Sequence, residues 1–582
     1  MNPVQQLLTD NIGLWTGADT AKKSGRGRAS GSAGTIYGIR KLRELILELA
    51  VRGKLVPQDP NDEPASVLLE RIMAEKARLV AEGKIRKDKP MAAITEDEKP
   101  FALPQGWEWT RLGEIGTVGS SSRVLLKDWT TTGIPFYRAR EIVLLSKNGL
   151  VDNDLFISEK LFLDLVAKGV VPEKNDIMIT GVGTIGVPYI VTENDRFYFK
   201  DASVLIFKNN YSIFTGYLFR FLISPIWNTK IHAESMGTTV HTLTISRAND
   251  VLVSLPSLDE QYRIVAKVDE LMVLCDQLEA GHVDAADAHE KLVIHLLTTL
   301  TASQDSADFN AGWQRIAAHF DMLFTTEASI DALKQTLLQL AVMGKLVPQD
   351  PEDEPASALF QRIQAEKARL VSEGKIKKDK PLAAISDDEK PFVLPQGWNW
   401  IKLGAIIELI SGQHLNPSEY FESPDIGSIP YITGPADFSD IGPVPVRHTF
   451  ERRSLSFFGD ILLTVKGSGV GKINVVFQIE LAISRQLMAV RPIIANAKFI
   501  EKLLLSMTAI FQDLSVGIAI PGISREHVLY SIIALPPLAE QHRIVAKVDE
   551  LMALCDRLRE RIFDAGALQR NLADAMAAKA VA

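Results

Sequence analysis

A long internal repeat constrains this chain of 582 residues more than any other feature. The segment LAVRGKLVPQDPNDEPASVLLERIMAEKARLVAEGKIRKDKP, from Leu49, returns as LAVMGKLVPQDPEDEPASALFQRIQAEKARLVSEGKIKKDKP from Leu340. The match continues without a gap to Trp109 and Trp400, at about four-fifths identity. Because the offset of 291 residues far exceeds the period of a solenoid, about 20 to 50, the repeat indicates a pseudo-dimer within one chain.

A second repeated block defines where the two copies differ. LPSLDEQYRIVAKVDELMVLCDQL, from Leu255, returns as LPPLAEQHRIVAKVDELMALCDRL from Leu535. Between the two blocks, residues 110–254 and 401–534 share only sparse similarities, so two near-identical frames each carry a different insert. We therefore predict domain limits at 1–106 (frame with a loop near 17–34, a short helix and a basic arm), 107–255 (insert one), 256–397 (central helix pair and second arm), 398–535 (insert two) and 536–582 (long helix).

The frames carry the apolar spacing of coiled coils. Steps of four and three residues predict long helices from about Glu260 to Leu300 and from about Glu540 to Ala578. Plain core packing explains most of such stripes, and a surface for partner docking is the further interpretation. The seams are Ile264, Val268, Leu271, Cys275 and Leu278 in the first copy, and Ile544, Val548, Leu551, Cys555, Leu558 and Ile562 in the second.

Two shorter seams supply the partners for these helices. They are Ile39, Leu42, Ile46 and Leu49, and their counterparts Ile330, Leu333, Leu337 and Leu340. The first long helix runs towards the segment at 330–342, so we expect this pair to close in mid-chain. The second long helix is then left to pair with residues 39–51, which predicts that the two chain ends meet and that the layout is cyclic. A helix of about 40 residues spans about 60 Å.

Each insert has the pattern of an α/β domain of about 140 residues. Predicted strands lie in DIMITGVGTIG, VPYIV and ASVLIF of insert one and in DILLTV, KINVVF and LMAVRP of insert two, and predicted helices lie in GYLFRFLISPIW and KFIEKLLLSMTAIF. The glycine patterns at 181–186 and 467–471 lack the Lys-Ser/Thr ending of a P-loop, and they indicate tight turns that let backbone approach a ligand. The sequence has no HExxH or Gly-x-Ser-x-Gly motif, and no other catalytic constellation is recognisable.

Charge and cysteine usage narrow the class of protein. Lys and Arg number 64 against 72 Asp and Glu, a net charge of −8, which argues against a protein that coats a long stretch of phosphate backbone. Two cysteines are too few for a disulfide framework, and no apolar run reaches about 18 residues, so we expect a cytoplasmic protein without a membrane span.

Three segments with basic residues stay open to interpretation. The runs KIRKDK (84–89) and KIKKDK (375–380) are typical of a solvated face, but their occurrence twice also fits contact with phosphates or with acidic patches on partners. Residues 17–34 read as a flexible linker, with a phosphate-binding arm as the alternative.

The duplicated LPPLxEQxRIVxxVDxL and GKLVPQ blocks, together with the variable inserts, resemble the specificity subunit of type I restriction-modification systems. The resemblance covers nearly the whole chain. It implies an α/β fold with two target recognition domains in a pseudo-twofold arrangement, joined by long antiparallel coiled-coil helix pairs. It further implies a non-catalytic subunit that binds double-stranded DNA, two methylation subunits and two restriction subunits. No cofactor is expected on this chain, because S-adenosylmethionine, ATP and Mg would belong to the partners. The resemblance assigns no role to residues 17–34, so their role stays open.

The inserts contain 15 Lys and Arg against 15 Asp and Glu, and 11 against 12, so we expect weak DNA binding by the isolated chain and phosphate neutralisation largely by the partner subunits. Side chains suited to base edges are the candidate contacts. In insert one they are Arg123, Lys127, Arg138, Arg140, Thr180, Thr184, Thr238, Thr239 and His241. In insert two they are Gln413, His414, Thr433, Lys466, Ser468, Arg485 and Gln486. A role in folding is the alternative for each.

Two other classes of function stay open. A scaffold or inhibitor would use the helix pairs to bind proteins and would retain no duplex even with partners present. A self-contained methylating nuclease would need an S-adenosylmethionine fold, for which the sequence has no motif.

Overall fold

The computed structural model describes residues 10–18, 36–83, 85, 90–167, 170–211, 213–233, 241–303, 306–378, 380–515 and 522–581. The chain divides into unit 1 (Met1–Ala285 and Ala565–Ala582) and unit 2 (Ala286–Asp564). Each unit contains one insert and one of the two short seam helices, Tyr37–Val51 or Glu327–Val342, and helices and sheets are mixed in both, as the sequence predicts. No helix among the described residues has the length and apolar character that a membrane span requires.

Two helices of 44 residues each form the frame, and they end within a few residues of the predicted limits. The first long helix is Leu258–Thr301 and the second is Leu538–Val581. Ser257 precedes the first and accepts a hydrogen bond at its hydroxyl from the backbone N–H of Glu260 (3.1 Å), which satisfies one free donor of the first turn. Acidic Asp259 and Glu260 in that turn also complement the helix dipole.

Insert one is closed at its base by one pair of strands. Glu108–Arg111 pairs antiparallel with Leu252–Leu255, so the chain leaves the insert beside the point where it entered. The first sheet has the order Thr117–Gly119, Val204–Lys208, Ile177–Thr180 and Pro188–Ile190. The second has the order Trp129–Thr130, Phe156–Ile157, Ile134–Tyr137 and Tyr198–Phe199, of which the last two strands are parallel.

The helices of unit 1 cover these sheets and build the frame. They are Ile12–Gly17, Tyr37–Val51, Ala65–Ala81, Leu112–Ile115, Ala139–Asn148, Glu159–Val166, Thr215–Leu222, Pro225–Ala233 and Ile245–Asp250, with 3-10 turns at Glu96–Glu98 and Leu126–Asp128. The predicted helix GYLFRFLISPIW is two helices, because Pro225 lacks the N–H that a continuous helix needs and begins a new one instead.

Insert two repeats this plan with more strands. Its base pair is Asn399–Lys402 with Ile532–Leu535. One sheet has the order Ile407–Ser411, Leu487–Pro492, Ile461–Thr464 and Ile473–Val475. The other has the order Tyr420–Phe421, His448–Thr449, Ile429–Ile432, Glu480–Ile483 and Leu455–Phe457, and a small pair joins Phe438–Ser439 to Gly442–Pro443. The helices of unit 2 are Ser306–Ala318, Phe320–Leu323, Glu327–Val342, Ala356–Ser372, Ala497–Ser506, Thr508–Asp513 and Arg525–Leu529, with 3-10 turns at Asp387–Glu389, Leu403–Ala405, Pro417–Glu419 and Pro435–Asp437.

The short helices pair differently from the sequence prediction. In unit 1, the seam of Tyr37–Val51 packs against the first long helix at Ile264, Val268, Leu271 and Cys275, and also against the last turns of the second at Ala573 and Met576. In unit 2, the seam of Glu327–Val342 packs against the second long helix at Leu551, Cys555 and Leu558, and against the end of the first at Val293, Leu297 and Leu300. The helix Glu327–Val342 therefore packs against residues 293–300 of the first long helix. The repeated seam of that long helix, residues 264–275, packs instead against the helix Tyr37–Val51.

Burial also corrects the docking interpretation of the seam. Ile264, Val268, Ile544 and Val548 are fully buried within the chain, and Leu271 is 1% exposed. These five side chains have no free surface to offer another subunit. Leu278, Leu551 and Leu558 are partly buried in the same clusters.

Within unit 1, residues near the N-terminus contact the end of the second long helix. The Tyr37 hydroxyl donates to both carboxylate oxygens of Asp574, at 2.8 and 2.7 Å, and the Lys54 ammonium donates to the Val581 carbonyl at 2.8 Å. In unit 2 the equivalent Lys345 donates to the carbonyls of Thr301 (2.9 Å) and Ser303 (2.8 Å). Each long helix thus ends on a lysine of a GKLVPQ block, where a cation satisfies free carbonyls at the negative end of the helix dipole.

Candidate nucleic-acid interface

The glycine turn of insert one is held between two other segments of chain. The N–H of Gly181 donates to the carbonyl of Ser203 (2.8 Å), and the N–H of Leu243 donates to the carbonyl of Gly181 (2.8 Å). Val182 forms a bridge with Thr242. The turns at 181–186 and 200–203 and the segment 241–244 therefore meet at one end of the sheets, and we call this surface the turn edge of insert one.

Insert two builds the same edge from the same backbone bonds. The N–H of Val465 donates to the carbonyl of Gln486 (2.8 Å), the N–H of Ile523 donates to the carbonyl of Val465 (2.9 Å), and Lys466 forms a bridge with Gly522. The turn edge of insert two consists of the glycine turn 465–471, the turn 484–486 and the segment 522–524. Two inserts with almost no sequence in common thus present one backbone scaffold.

The seven predicted residues of insert two converge on or beside this edge. The N–H of Gln413 donates to the carbonyl of Ile483 (2.9 Å), which joins the Gln413–His414 segment to the strand that leads into the turn 484–486. A Cβ atom at Gly434 would lie 2.4 Å from the Gln486 side-chain oxygen, so the turn after Thr433 also lies against this edge. The exposed members are Gln413, His414, Lys466, Ser468, Arg485 and Gln486.

Thr433 has a different role from the exposed residues. It is half-buried, and its hydroxyl donates to the carboxylate of Asp437 (2.9 Å), which also accepts from the Thr433 N–H (2.7 Å). The side chain therefore stabilises the turn after the strand Ile429–Ile432.

In insert one the structure separates exposed candidates from structural ones. Arg123, Lys127, Arg140, Thr184 and His241 are exposed. The serine segment that precedes Arg123 is bound to the turn edge, because the N–H of Ala202 donates to the Ser120 hydroxyl (3.3 Å). The ring of His241 lies 5.8 Å from the ring of His232.

Thr180 lies inside the glycine turn, contrary to the prediction that it contacts a base. Its side chain is 0% exposed. The hydroxyl donates to the carbonyl of Thr184 and accepts from the N–H of Val187 (2.9 Å), so it stabilises the turn that presents Thr184. Thr238 and Thr239 lie outside the described residues.

Arg138 is committed to an ion-pair network at the start of the helix Ala139–Asn148. Its guanidinium contacts Glu141 (2.7 Å) and Asp154 (3.1 Å). Burial raises the pKa of Glu141, but the hydrogen bonds and charge of Arg138 outweigh it and leave that pKa below its ordinary value. The neighbouring Arg140 side chain is 73% exposed and is the more accessible cation of the pair.

Sequence reasoning missed the turn that contains Lys200 and Asp201. This turn follows Tyr198–Phe199, which pairs in parallel with Ile134–Tyr137, just as the turn 484–486 follows Glu480–Ile483, which pairs in parallel with Ile429–Ile432. The turn sequences KDAS and SRQ share no pattern. Only the shared strand pairing shows that the two turns occupy equivalent positions in the two inserts.

Residues 104–285 and 395–564 match a family described as the type I restriction modification DNA specificity domain. The chain is 39% identical over 614 residues to the type I restriction enzyme EcoAI specificity subunit of Escherichia coli, with 99% of this chain and 100% of that protein covered. It is equally identical, at 39%, to the EcoEI specificity subunit of the same species, with 98% and 99% covered.

Solved structures give more distant similarities. The crystal structure of the HsdS subunit from Thermoanaerobacter tengcongensis is 21% identical, with a TM-score of 0.39 and coverage of 83% of this chain and 98% of that one. A chain from a structural study of complex assembly and conformational transition in a type I R-M system is 21% identical, with a TM-score of 0.44 and coverage of 83% and 99%. The full-length sequence relatives carry the family assignment.

Proposed function

The chain belongs to the family of type I restriction-modification DNA specificity subunits, and on that premise we propose that its two inserts read the two unrelated halves of one split DNA target. Each turn edge contacts the base edges of one half-site. The chain itself is non-catalytic and gives the assembled enzyme its sequence preference.

One observation carries this proposal: the two turn edges share a backbone scaffold and differ in the side chains that they expose. Insert two exposes Lys466, Arg485 and Gln486, whereas insert one exposes Thr184 and His241 at the corresponding surface. Arginine and lysine suit guanine, glutamine suits adenine, and threonine contacts either a base edge or the methyl group of thymine. A shared backbone scaffold that exposes different side chains fits two inserts that dock on DNA in the same way but recognise different base sequences.

The duplicated frames support a second part of the proposal. Two copies of one partner need two equivalent surfaces, and the frame repeats at about four-fifths identity for this purpose. We assign these surfaces to two methylation subunits, with two restriction subunits joining the assembly. Each long helix of 44 residues is about 66 Å long, which suits the helices to set the gap between half-sites.

Catalysis in this proposal resides in the partners. The methylation subunits bind S-adenosylmethionine, and the restriction subunits use ATP and Mg. Binding by the isolated chain is weak, because the inserts have no excess of cations to neutralise phosphates.

Co-expression with the methylation subunit, followed by mapping of modified adenines across a genome, tests the proposal. The expected result is a split motif with two unrelated halves. Exchange of residues 110–254 for the insert of another family member should change one half of the motif only. A change in both halves, or a complex that retains no duplex, contradicts the proposal; the second outcome favours a scaffold that binds proteins alone.

A further inference from the structure

A cationic groove of about 990 Å³ lies beside the turn edge of insert two, within unit 2. One wall is the basic arm that follows the helix Ala356–Ser372, and the other is formed by the insert. The lining includes Lys375, Lys377, Lys378 and Lys380 from the arm, with Gln413 and Arg525 from the insert. The groove is thus continuous with the surface to which Gln413 belongs.

The arm is anchored against the insert at two points. Lys367 in the preceding helix donates from its ammonium group to the carbonyls of Gly404 (2.6 Å) and Ile407 (3.0 Å). Ile376 is half-buried and packs against the main core of unit 2. Between them, Gly374 adopts a φ of +69° that ends the helix, and the N–H of Lys375 returns to the carbonyl of Leu370 (2.9 Å). The lysines on either side of Ile376 are consequently held in place by the fold.

The arm presents three exposed lysines to a groove whose lining also includes the acidic Glu408 and Glu526. Lys377, Lys378 and Lys380 are exposed, and none of them makes an ion pair or side-chain hydrogen bond with the described residues. Lys375 differs, because its ammonium contacts Glu373 at 2.8 Å. Neighbouring ammonium groups repel one another, and a polyanion in the groove relieves that repulsion.

We propose that this groove binds the sugar-phosphate backbone of duplex DNA beside the half-site that insert two reads. The inference rests on the proposed function. Two observations favour DNA over an acidic protein surface: the groove is continuous with the turn edge, and insert two has only 11 Lys and Arg against 12 Asp and Glu, so it has no excess of cations of its own. Phosphate contacts position a protein on DNA without reading sequence, and the arm supplies them.

The corresponding run in the first copy, residues 84 and 86–89, lies outside the described residues. The proposal therefore concerns the arm of unit 2.

The test compares two variants of the full chain, each in complex with its methylation subunits. Lys377→Gln/Lys378→Gln removes two charges from the groove. Lys390→Gln/Lys498→Gln removes two charges from exposed lysines of unit 2 that do not line it. Binding to a duplex with the mapped target and to one without it is measured by fluorescence anisotropy between 50 and 200 mM salt, and assembly is checked by native mass.

Loss of two phosphate contacts makes the slope of log affinity against log salt less steep by about 2, and weakens binding roughly 10- to 60-fold at 0.1 M salt. We expect this loss on both duplexes, an unchanged methylation motif, near-normal binding by the control, and recovery in Lys377→Arg/Lys378→Arg. A groove variant that retains the wild-type slope overturns the inference while leaving sequence-specific binding, and so the proposed function, intact. A variant whose defect is confined to assembly with the methylation subunits also overturns it, in favour of an acidic protein surface. Absence of duplex binding by the wild-type complex overturns both proposals.

Discussion

The indole Nε1 of Trp107 donates a hydrogen bond of 2.8 Å to the Oε2 atom of Glu260. Gln58 donates to the other oxygen of the same carboxylate at 2.8 Å. One buried carboxylate therefore joins the GKLVPQ block, the LPQGW motif and the DEQ motif of the first long helix. Unit 2 repeats the arrangement, with Trp398 (2.9 Å) and Gln349 (3.1 Å) donating to Glu540. The repeated sequence motifs thus form the same hydrogen-bonded contact in both units.

We expect Glu260→Ala to destabilise unit 1. The Trp107 and Gln58 donors would lose their shared acceptor in a buried site, and an unsatisfied buried donor costs about 1–3 kcal/mol. Urea unfolding of the full chain, followed by circular dichroism, measures the change in the free energy of unfolding. Glu63→Ala is the matched control, because its pair with Arg71 is exposed and such pairs contribute about 0–1 kcal/mol. Equal losses of unfolding free energy in the two variants would show that the buried Glu260 contact contributes no more stability than an exposed ion pair.

The same carboxylate should impose a pH dependence. Burial raises the pKa of Glu260 above its ordinary 4.5, and the hydrogen bonds from Gln58 and Trp107 offset this only in part. The folded state therefore holds the proton more tightly than the unfolded state, so this contribution to stability is complete below pH 4.5 and is lost as the pH rises through the folded pKa. We expect the stability of wild type relative to Glu260→Gln to fall over that window, measured as the difference in unfolding free energy between pH 4 and 7. A difference that rises with pH would contradict the raised pKa.

Two glycines of insert one offer a matched pair of substitutions. Gly183 and Gly186 have φ values of +76° and +80°, so alanine is strained at both. Among the described residues, a Cβ atom at Gly183 meets nothing within 4 Å, whereas one at Gly186 lies 2.1 Å from the Ile231 side chain and 2.9 Å from Trp227. We expect Gly183→Ala to cost about 1 kcal/mol and Gly186→Ala about 1–3 kcal/mol more, because overpacking adds to the strain. Thermal unfolding of the two variants provides the comparison, and equal melting temperatures would refute the close packing at Gly186.

Closure of the chain ends makes a prediction at Ala573. This residue is 0% exposed and lies in the same apolar cluster as the helix Tyr37–Val51, whereas Ala575, two residues on, is exposed. We expect Ala573→Lys to destabilise unit 1 by more than 2 kcal/mol, because a charge would be forced into the apolar contact, and Ala575→Lys to change stability by about 0.5 kcal/mol or less. Hydrogen exchange of the helix Tyr37–Val51 reports the effect directly, and equal protection of that helix in both variants would argue against the contact.

Base reading by insert two makes a prediction at Gln486. We expect Gln486→Ala to weaken recognition at one position of one half-site by about 1–3 kcal/mol, or roughly 5- to 150-fold, since a good bidentate contact contributes that much discrimination. Methylation of a panel of duplexes that vary at single positions measures the change. Gln361→Ala, on the exposed face of the helix Ala356–Ser372, is the control and should leave the panel unchanged. Relaxation spread over both half-sites would contradict the assignment.

Much of the secondary structure follows from local patterns. The four-three spacing predicts both long helices, and the apolar runs predict strands at Ile177–Thr180 and Ile461–Thr464. The glycine patterns correctly indicate tight turns. These features depend on residues that are near one another in the chain, so the sequence shows them directly.

The role of an individual side chain depended on its burial and its partners, which the motifs do not show. Thr180 and Thr184 are four residues apart in one motif, yet the first is buried and the second is exposed. Arg138 and Arg140 differ in the same way, because Glu141 and Asp154 bind only the first closely. A motif identifies which chemical groups are present, but burial and pairing decide which of them face solvent.

By itself the sequence determined that the chain is two frames with two unlike inserts, that long helices join them, and that it resembles one family of DNA-specificity subunits. Only the tertiary structure decided which short helix packs on which part of each long helix, and that unlike inserts share one turn edge. The physical reason is that two seams with the same apolar spacing are locally interchangeable, and backbone hydrogen bonds such as Gly181 to Ser203 do not depend on side-chain identity. Their partners are selected by the packing of the whole unit.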